Sequence, residues 1–318
     1  MPWPKVTITT DSGETKEAVA PLIISASRST DIPAFCGEWF LRRLDAGYAR
    51  RVNPFSGQSA YVSFKNARLF VFWSKNPAPF LPLLKELDKR DLLYYFQVTV
   101  NDYEKEGMEK GVPPLAERIN AFKRLARLIG KKRVIWRFDP LVLTDTLSPE
   151  ELLVRIRRIG GELWGYTERL TVSFITLYAK VAKNLAGAGI GIRPWDDAGK
   201  AAILQGIGDA AGKWKIQAFS CADENDYSRY GILHGKCVDD ALIGSLVGPG
   251  DPLRDFLLRG RGIKDKGQRP QCGCIVSRDI GSYNTCGHGC VYCYANASPR
   301  SAAQNLRRHA VESDSIVF

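Results

Sequence analysis

Short, nearly continuous apolar runs recur along the chain. In residues 70–72 and 134–136, for example, every side chain is apolar, a pattern typical of strands buried on both faces of a parallel sheet. Such runs predict eight strands, at residues 22–26, 49–53, 69–73, 92–98, 133–138, 170–175, 215–219 and 274–280.

Segments with helical periodicity lie between most of these runs. Residues 114–129 carry apolar side chains at intervals of three and four, as a helix with one buried face requires. Ser148, followed by proline and two glutamates, is a typical helix start. Further helices are predicted at 195–211 and 294–308, whereas the link at 53–64 resembles a hairpin.

Strands that alternate with helices predict an α/β fold. We expect a TIM-like (βα) barrel, complete or partly open, and a doubly wound open sheet is the alternative. Residues 1–20 are expected to form an N-terminal arm, and residues 21–318 a single barrel domain.

Polar side chains follow the predicted strands. In a barrel of this kind, the chemistry takes place at the carboxyl ends of the strands. Loops are polar for other reasons too, but the set as a whole predicts a cavity for a charged ligand. The candidate catalytic residues at these ends are Arg28, Asp31, Lys75, Arg137 and Asp139.

The chain is basic, with a formal net charge of +11 from 45 Lys and Arg against 34 Asp and Glu. This balance favours anionic partners, including nucleic acid. Five basic residues crowd one loop at 259–269, which is equally typical of a solvated loop. They are Arg259, Arg261, Lys264, Lys266 and Arg269.

No apolar run approaches the roughly 20 residues that span a bilayer. The first residues also lack the apolar core of a secretory signal. We therefore expect a cytoplasmic protein without a membrane partner.

Five of the eight cysteines lie between Cys272 and Cys293. In an intracellular chain such clustering indicates metal or cluster ligands rather than disulfides. Cys286, Cys290 and Cys293 have the spacing C-x3-C-x2-C, with glycines that permit a sharply turning loop. Three thiolates leave one iron of a 4Fe–4S cluster without a ligand from this loop. Zinc is the alternative, with His288 as its fourth ligand.

This motif, with Tyr292 just before its last cysteine, resembles the signature of the radical S-adenosylmethionine (SAM) superfamily. Residues 272–296 also resemble the tail of an uncharacterised bacterial family with such a cluster at its C-terminus, and weaker similarity extends over 27–33 and 234–239. The resemblance implies that the three cysteines hold a 4Fe–4S cluster whose open iron binds SAM, and that Tyr292 lies along the adenine.

The position of the motif departs from the superfamily pattern. Typical members carry this loop after the first barrel strand, whereas here it follows the last one. A circular permutation preserves the geometry if the last and first strands are neighbours. The strand at 22–26 then corresponds to the second strand of the superfamily, whose end meets the SAM amino group. Ser27, Arg28 and Asp31 are the candidates for that contact.

The other cysteines form a second set. Cys36 lies at an apolar helix start, where a small buried side chain is expected. The remaining four make a full ligand set for an auxiliary 4Fe–4S cluster, with zinc as the alternative. They are Cys221, Cys237, Cys272 and Cys274, so that residues 221–293 carry both sets.

The resemblance implies a radical-SAM enzyme, which cleaves SAM reductively to a 5′-deoxyadenosyl radical. It also implies an electron donor such as a flavodoxin or ferredoxin. The substrate is not named by the sequence, although Arg28 or Arg137 would suit an anionic one. Two alternatives remain: a nucleic-acid repair or modification protein with the same chemistry, and a non-catalytic iron–sulfur or zinc protein.

Overall fold

Strands and helices alternate along most of the chain. The computed structural model describes residues 3–53, 56–259, 262–264 and 268–317. The strands in these residues are β1 (Lys5–Thr9), β2 (Thr15–Val19), β3 (Ile23–Ser25), β4 (Tyr48–Val52), β5 (Ser59–Ser63), β6 (Leu69–Ser74), β7 (Leu93–Thr99), β8 (Val134–Leu141), β9 (Leu143–Thr144), β10 (Arg169–Phe174), β11 (Ile192–Arg193), β12 (Gln217–Cys221), β13 (Ile232–Gly235) and β14 (Arg278–Asp279).

The helices lie mainly between the strands of the largest sheet. In the described residues they are α1 (Ile32–Phe35), α2 (Gly37–Ala46), α3 (Leu84–Asp88), α4 (Leu115–Ile129), α5 (Pro149–Leu163), α6 (Ala179–Gly187), α7 (Asp197–Trp214), α8 (Asp240–Gly244), α9 (Pro252–Arg259) and α10 (Pro299–Arg308). Short 3-10 helices occur at Ala78–Leu83, Lys131–Arg133 and Ser228–Tyr230.

The main sheet has eight strands in the order β13-β12-β10-β8-β7-β6-β3-β14. Every neighbouring pair is parallel. The order follows the chain without the reversal of a doubly wound sheet, and it places the last strand beside β3. In the described residues no ladder joins the edge strands β13 and β14, although the Ile275 N–H donates to the Val238 carbonyl at 3.0 Å. A complete barrel therefore stays a prediction.

Six of the predicted strands are confirmed. The segments at 22–26, 69–73, 92–98, 133–138, 170–175 and 215–219 overlap β3, β6, β7, β8, β10 and β12 in that order.

The predictions at 49–53 and 274–280 are wrong in part. The first segment forms β4, which pairs with β5 outside the main sheet, and the second is a strand only over β14. The sequence does not predict β13, because its central residues Leu233 and His234 are exposed and leave no apolar run.

A second, four-stranded sheet has the order β1-β2-β5-β4. The hairpin of β1 and β2 belongs to it, so the predicted N-terminal arm contributes two of its strands. β4 and β5 pair antiparallel, and β5 lies within the link at 53–64 that was expected to form a hairpin.

The predicted helices are present, with shifted ends. Ser148 caps α5 by accepting a hydrogen bond from the Glu151 N–H at 3.3 Å, and Asp196 caps α7 through the Gly199 N–H at 2.6 Å. α10 begins at Pro299 rather than at residue 294. Pro299 occupies the first turn, where its missing N–H costs no helical hydrogen bond.

The two faces of the main sheet have different partners. Alternate side chains such as Phe70 and Phe72 pack against Phe40 of α2, in an apolar cluster that also includes residues of α4, α5 and α7. Their neighbours Leu69 and Val71 face a separate cluster that includes residues 274–276 and side chains of α8 and α9. The strands are therefore buried on both faces, which explains their continuous apolar runs.

We predict that Gly208→Ala destabilises the protein, because Gly208 lets α7 approach the turn before β13. An added Cβ would lie 1.9 Å from the Tyr230 carbonyl oxygen, a backbone atom that cannot move away cheaply. We expect a loss of about 1–3 kcal/mol of unfolding free energy, measured as a lower thermal midpoint.

Gly212→Ala in the same helix is the matched control. Its Cβ meets nothing within 4 Å, so the better helix propensity of alanine should leave stability unchanged or raise it by up to about 1 kcal/mol. Equal midpoints for the two variants would contradict the packing argument.

Candidate functional site

The loop that carries C-x3-C-x2-C contacts residues at the carboxyl ends of several strands. We call residues 280–298 the cysteine loop. Thr285 Oγ1 lies 2.5 Å from Thr30 Oγ1, just beyond β3. Tyr292 OH accepts a hydrogen bond from Lys75 Nζ at 2.9 Å, just beyond β6. The loop therefore sits at the edge of the sheet where the sequence predicts chemistry.

A second segment, residues 108–111, pairs with the cysteine loop through the backbone. The Val291 N–H donates to the Met108 carbonyl at 3.1 Å, and the Gly111 N–H donates to the His288 carbonyl at 2.9 Å. The approach is close, since a Cβ at Gly111 would lie 2.7 Å from the Gly287 carbonyl oxygen. This segment and the strand ends hold the loop from two sides.

The three thiols of the loop influence one another. Burial, together with the charges of Asp31 and Cys293, raises the pKa of Cys286 to about 12. Burial also raises the pKa of Cys290 well above its usual value; Lys75 opposes this, and Cys293 and Cys286 add to it. These couplings show that Cys286, Cys290 and Cys293 share one small region.

The donor set of this region suits an iron–sulfur cluster. Within the described ranges, no group of three or more His, Cys, Asp or Glu side chains is placed to hold a metal ion. A cube takes each thiolate on a different iron, so its ligands stand further apart than those of one ion. Two buried oxygen atoms of the loop, Ser282 Oγ and Asn296 Oδ1, also have no hydrogen-bond partner. Three thiols on one loop are a donor set that an iron–sulfur cluster can use, and both the cluster and the zinc alternative stay predictions.

His288 does not supply a fourth zinc ligand. Its Nε2 lies 2.7 Å from Asp31 Oδ2, and its Nδ1 lies 3.2 Å from the Gly111 carbonyl oxygen. With both ring nitrogens engaged, the side chain ties the cysteine loop to the end of β3.

A buried ionic cluster contacts the hydroxyl group of Tyr292. Glu109 Oε1 accepts from Lys75 Nζ at 2.7 Å, from Asn101 Nδ2 at 3.2 Å and from the Tyr292 hydroxyl, while Oε2 accepts from Arg118 Nη1 at 3.3 Å. Burial would raise the pKa of Glu109, but Lys75 and Arg118 outweigh it and lower that pKa below its usual value. Glu109 is therefore an ionised carboxylate shared by two cations and a phenol.

Sequence reasoning missed Glu109 and Arg118. A signal existed for Arg118, since it precedes Phe122 by four residues and Leu125 by seven on the apolar face of α4. Glu109 lies in an irregular segment without periodicity, so no comparable signal marks it.

The candidates at the end of β3 are held by their own surroundings. Ser27 Oγ accepts from the N–H groups of Ser29 at 2.9 Å and Thr30 at 3.1 Å. Arg28 Nη2 donates to Ser277 Oγ at 3.0 Å, and Asp31 Oδ2 accepts from the Lys75 N–H at 2.7 Å. The role of Ser27, Arg28 and Asp31 toward SAM stays a prediction, as does the contact of Tyr292 with adenine.

Arg137 and Asp139 form an ion pair on β8, a central strand of the main sheet. Burial opposes the ionised state of Asp139, but Arg137 and the Ser173 hydroxyl lower its pKa. The Asp139 N–H donates to Asn101 Oδ1 at 2.9 Å, which links this pair to the cluster around Glu109.

The four other clustered cysteines also come together. Cys221 Sγ lies 3.5 Å from Cys237 Sγ, and Cys274 Sγ accepts from the Cys237 N–H at 3.1 Å. A hydrogen bond from Cys274 lowers the pKa of Cys272 to about 7, although burial opposes the shift. Cys36 is buried, as expected, at the start of α2.

The basic loop is only partly described. Arg261 and Lys266 lie outside the described residues. Arg259 is paired loosely with Asp255 at 4.0 Å, and nucleic-acid binding here stays a prediction. No helix in the described part of the chain is both long and apolar enough to cross a lipid bilayer.

We predict that Glu109→Gln strongly destabilises the protein. The substitution leaves Lys75 buried without its carboxylate and leaves Arg118 with Glu104 as its carboxylate partner, and breaking a buried ion pair typically costs about 3–5 kcal/mol. Thermal unfolding followed by circular dichroism measures the effect, and Glu117→Gln, on an exposed position of α4, is the control. A Glu109→Gln midpoint as high as that of the control would show that the carboxylate does not hold the cluster.

Comparison with known proteins identifies the family but not an activity. No curated protein matches the sequence. A candidate alpha-L-fucosidase from Bacteroides thetaiotaomicron VPI-5482 is similar over 76% of this chain and 84% of its own, at 8% identity, with a TM-score of 0.26 that supports no conclusion. One family model, described as "Domain of unknown function (DUF1848)", matches residues 23–295, a span that includes both cysteine sets. The chain therefore belongs to the DUF1848 family.

Proposed function

We propose that this protein is a radical-SAM enzyme in which Cys286, Cys290 and Cys293 hold a 4Fe–4S cluster. The observation that carries the proposal is that the three thiols lie on one loop that contacts the carboxyl ends of parallel strands. When bound and reduced, such a cluster cleaves SAM to methionine and a 5′-deoxyadenosyl radical that abstracts hydrogen from a substrate.

Three side-chain contacts fix the cysteine loop in place. Thr285 meets Thr30, His288 meets Asp31, and the Tyr292 hydroxyl meets Glu109. These contacts reach strand ends or the 108–111 segment, so they set the position of all three thiols at once. A support of this kind is what ligands need to keep one orientation.

Lys75 supplies positive charge beside the thiols. Burial alone would lower its pKa, but Glu109 and Cys290 raise it, so the side chain is an ammonium. The same charge favours the thiolate of Cys290, which is the form that binds iron. Lys75 thus connects the buried ionic cluster to the metal ligands.

Burial around Cys290 limits the access of water, whereas Cys286 and Cys293 are half-buried. Cys290 is only 8% exposed, and Thr285 and His288 are buried within the same loop. Exclusion of water protects a reactive intermediate from side reactions. The substrate class and the electron donor, for which we expect a flavodoxin or ferredoxin, stay proposals.

We predict that Cys290→Ala abolishes SAM cleavage. The protein is reconstituted anaerobically with iron and sulfide and mixed with SAM and dithionite, and 5′-deoxyadenosine is measured by chromatography and mass spectrometry. Without one of three thiolates, the loop should lose about four irons together with its SAM site, so product should fall to the level without enzyme.

Cys36→Ala is the matched control, because Cys36 is also a buried thiol in the same region. Burial raises the pKa of Cys36, and the nearby Asp31 and Cys286 add to the shift. This variant should keep its iron and its cleavage activity. Full activity of Cys290→Ala would refute the ligand assignment. Loss of iron in Cys36→Ala would instead identify a fourth protein ligand and contradict the open iron.

A further inference from the structure

The second cysteine set lies where the two edges of the main sheet approach each other. Cys221 ends β12, and Cys237 follows the edge strand β13 by two residues. Cys272 and Cys274 precede the other edge strand, β14. Between these edges, the Ile275 N–H donates a backbone hydrogen bond to the Val238 carbonyl oxygen at 3.0 Å. The four thiols therefore occupy the gap in the sheet.

One pair of these thiols has the spacing of a tetrahedral zinc site, and the other two lie nearby without completing a metal-binding group as the described side chains stand. With Zn–S bonds of about 2.3 Å, the sulfur atoms of a tetrahedral site are about 3.8 Å apart. Cys221 Sγ and Cys237 Sγ are 3.5 Å apart. Cys274 Sγ accepts a hydrogen bond from the Cys237 N–H at 3.1 Å, and Cys272 lies two residues before Cys274. An iron–sulfur cube would require wider separations, since each thiolate binds a different iron.

Hydrogen-bond donors of the protein point at two of the thiols, Cys237 and Cys274. The N–H groups of Cys237 and Val238 both donate to Cys274 Sγ, at 3.1 and 3.4 Å. Arg137, buried beneath them, donates from Nη1 to Cys237 Sγ at 3.0 Å. Donors and a cation aimed at sulfur stabilise thiolates, and they offset the net negative charge of a four-thiolate zinc site.

We propose that Cys221, Cys237, Cys272 and Cys274 form a structural zinc site that joins the two edges of the main sheet. Four protein ligands leave no open position, which is typical of structural rather than catalytic zinc. When zinc binds, the four cysteine side chains rotate so that their sulfur atoms surround the ion as a tetrahedron. This site is independent of the radical-SAM proposal, because it shares no ligand with the cysteine loop.

The experiment begins with a variant in which Cys286, Cys290 and Cys293 are all alanine, so that the cysteine loop contributes no iron. Metal content is measured by mass spectrometry after anaerobic purification. We expect about one zinc per chain and no iron. In the same background, Cys237→Ala should remove the zinc, whereas Cys36→Ala should keep it.

Cys272→Ser provides a second variant in case Cys237→Ala fails to fold, since Cys272 is partly exposed and its loss leaves no sealed cavity. It should lose zinc while its circular dichroism spectrum stays unchanged. Arg137→Met, which removes a donor to the ligands, should weaken zinc binding about 10- to 100-fold in a competition titration with a chelator.

Hydrogen exchange reports the structural role. Removal of zinc with EDTA should increase exchange at residues 232–238 and 274–279, the two edges, and leave β7 and β8 unchanged. Two results would overturn the proposal: about four irons with equal sulfide in the triple variant, or metal-free protein with a Cys221–Cys237 disulfide. The first result would indicate a cluster and the second a redox pair.

Discussion

The buried carboxylate of Glu109 is the contact on which the candidate site most depends. It joins Lys75, beyond β6, to Arg118 on α4 and to Tyr292 of the cysteine loop. A carboxylate so deeply buried is tolerated only because two cations and several hydrogen bonds compensate its charge. Because Glu109 and these three partners come from four separate segments, the position of the loop is coupled to the packing of the sheet.

The two faces of the main sheet differ in the side chains that cover them. Side chains such as Phe70 and Trp136 pack against the helices and supply most of the apolar burial. The other face is apolar around Val71 and Ile135. It becomes polar toward the carboxyl ends of the strands, where Arg137 and Cys221 lie. Parallel strands bring their carboxyl ends to one edge, so polar residues far apart in sequence meet there.

The two cysteine sets differ in the way that the fold assembles them. Cys286, Cys290 and Cys293 belong to one loop, so their proximity requires only a turn such as the one at Gly289, whose φ is +62°. The other four come from segments separated by up to 53 residues (221 to 274). Their proximity requires the edge strands to meet, which explains why we connect this set with closure of the sheet and the first set with chemistry.

Local signals in the sequence determined much of this picture. Apolar runs located six strands of the main sheet, capping residues located α5 and α7, and cysteine spacing located the loop, because each of these depends on neighbours along the chain. The tertiary structure alone decided the rest. The short edge strand β13, the pairing of β4 in a separate sheet, the burial of Glu109 with Arg118, and the 3.5 Å approach of Cys221 to Cys237 all depend on contacts between distant segments. The position of Arg118 on the apolar face of α4 and the count of four remaining cysteines are partial signals, but the pairing of one distant segment with another leaves no periodicity or spacing in the sequence.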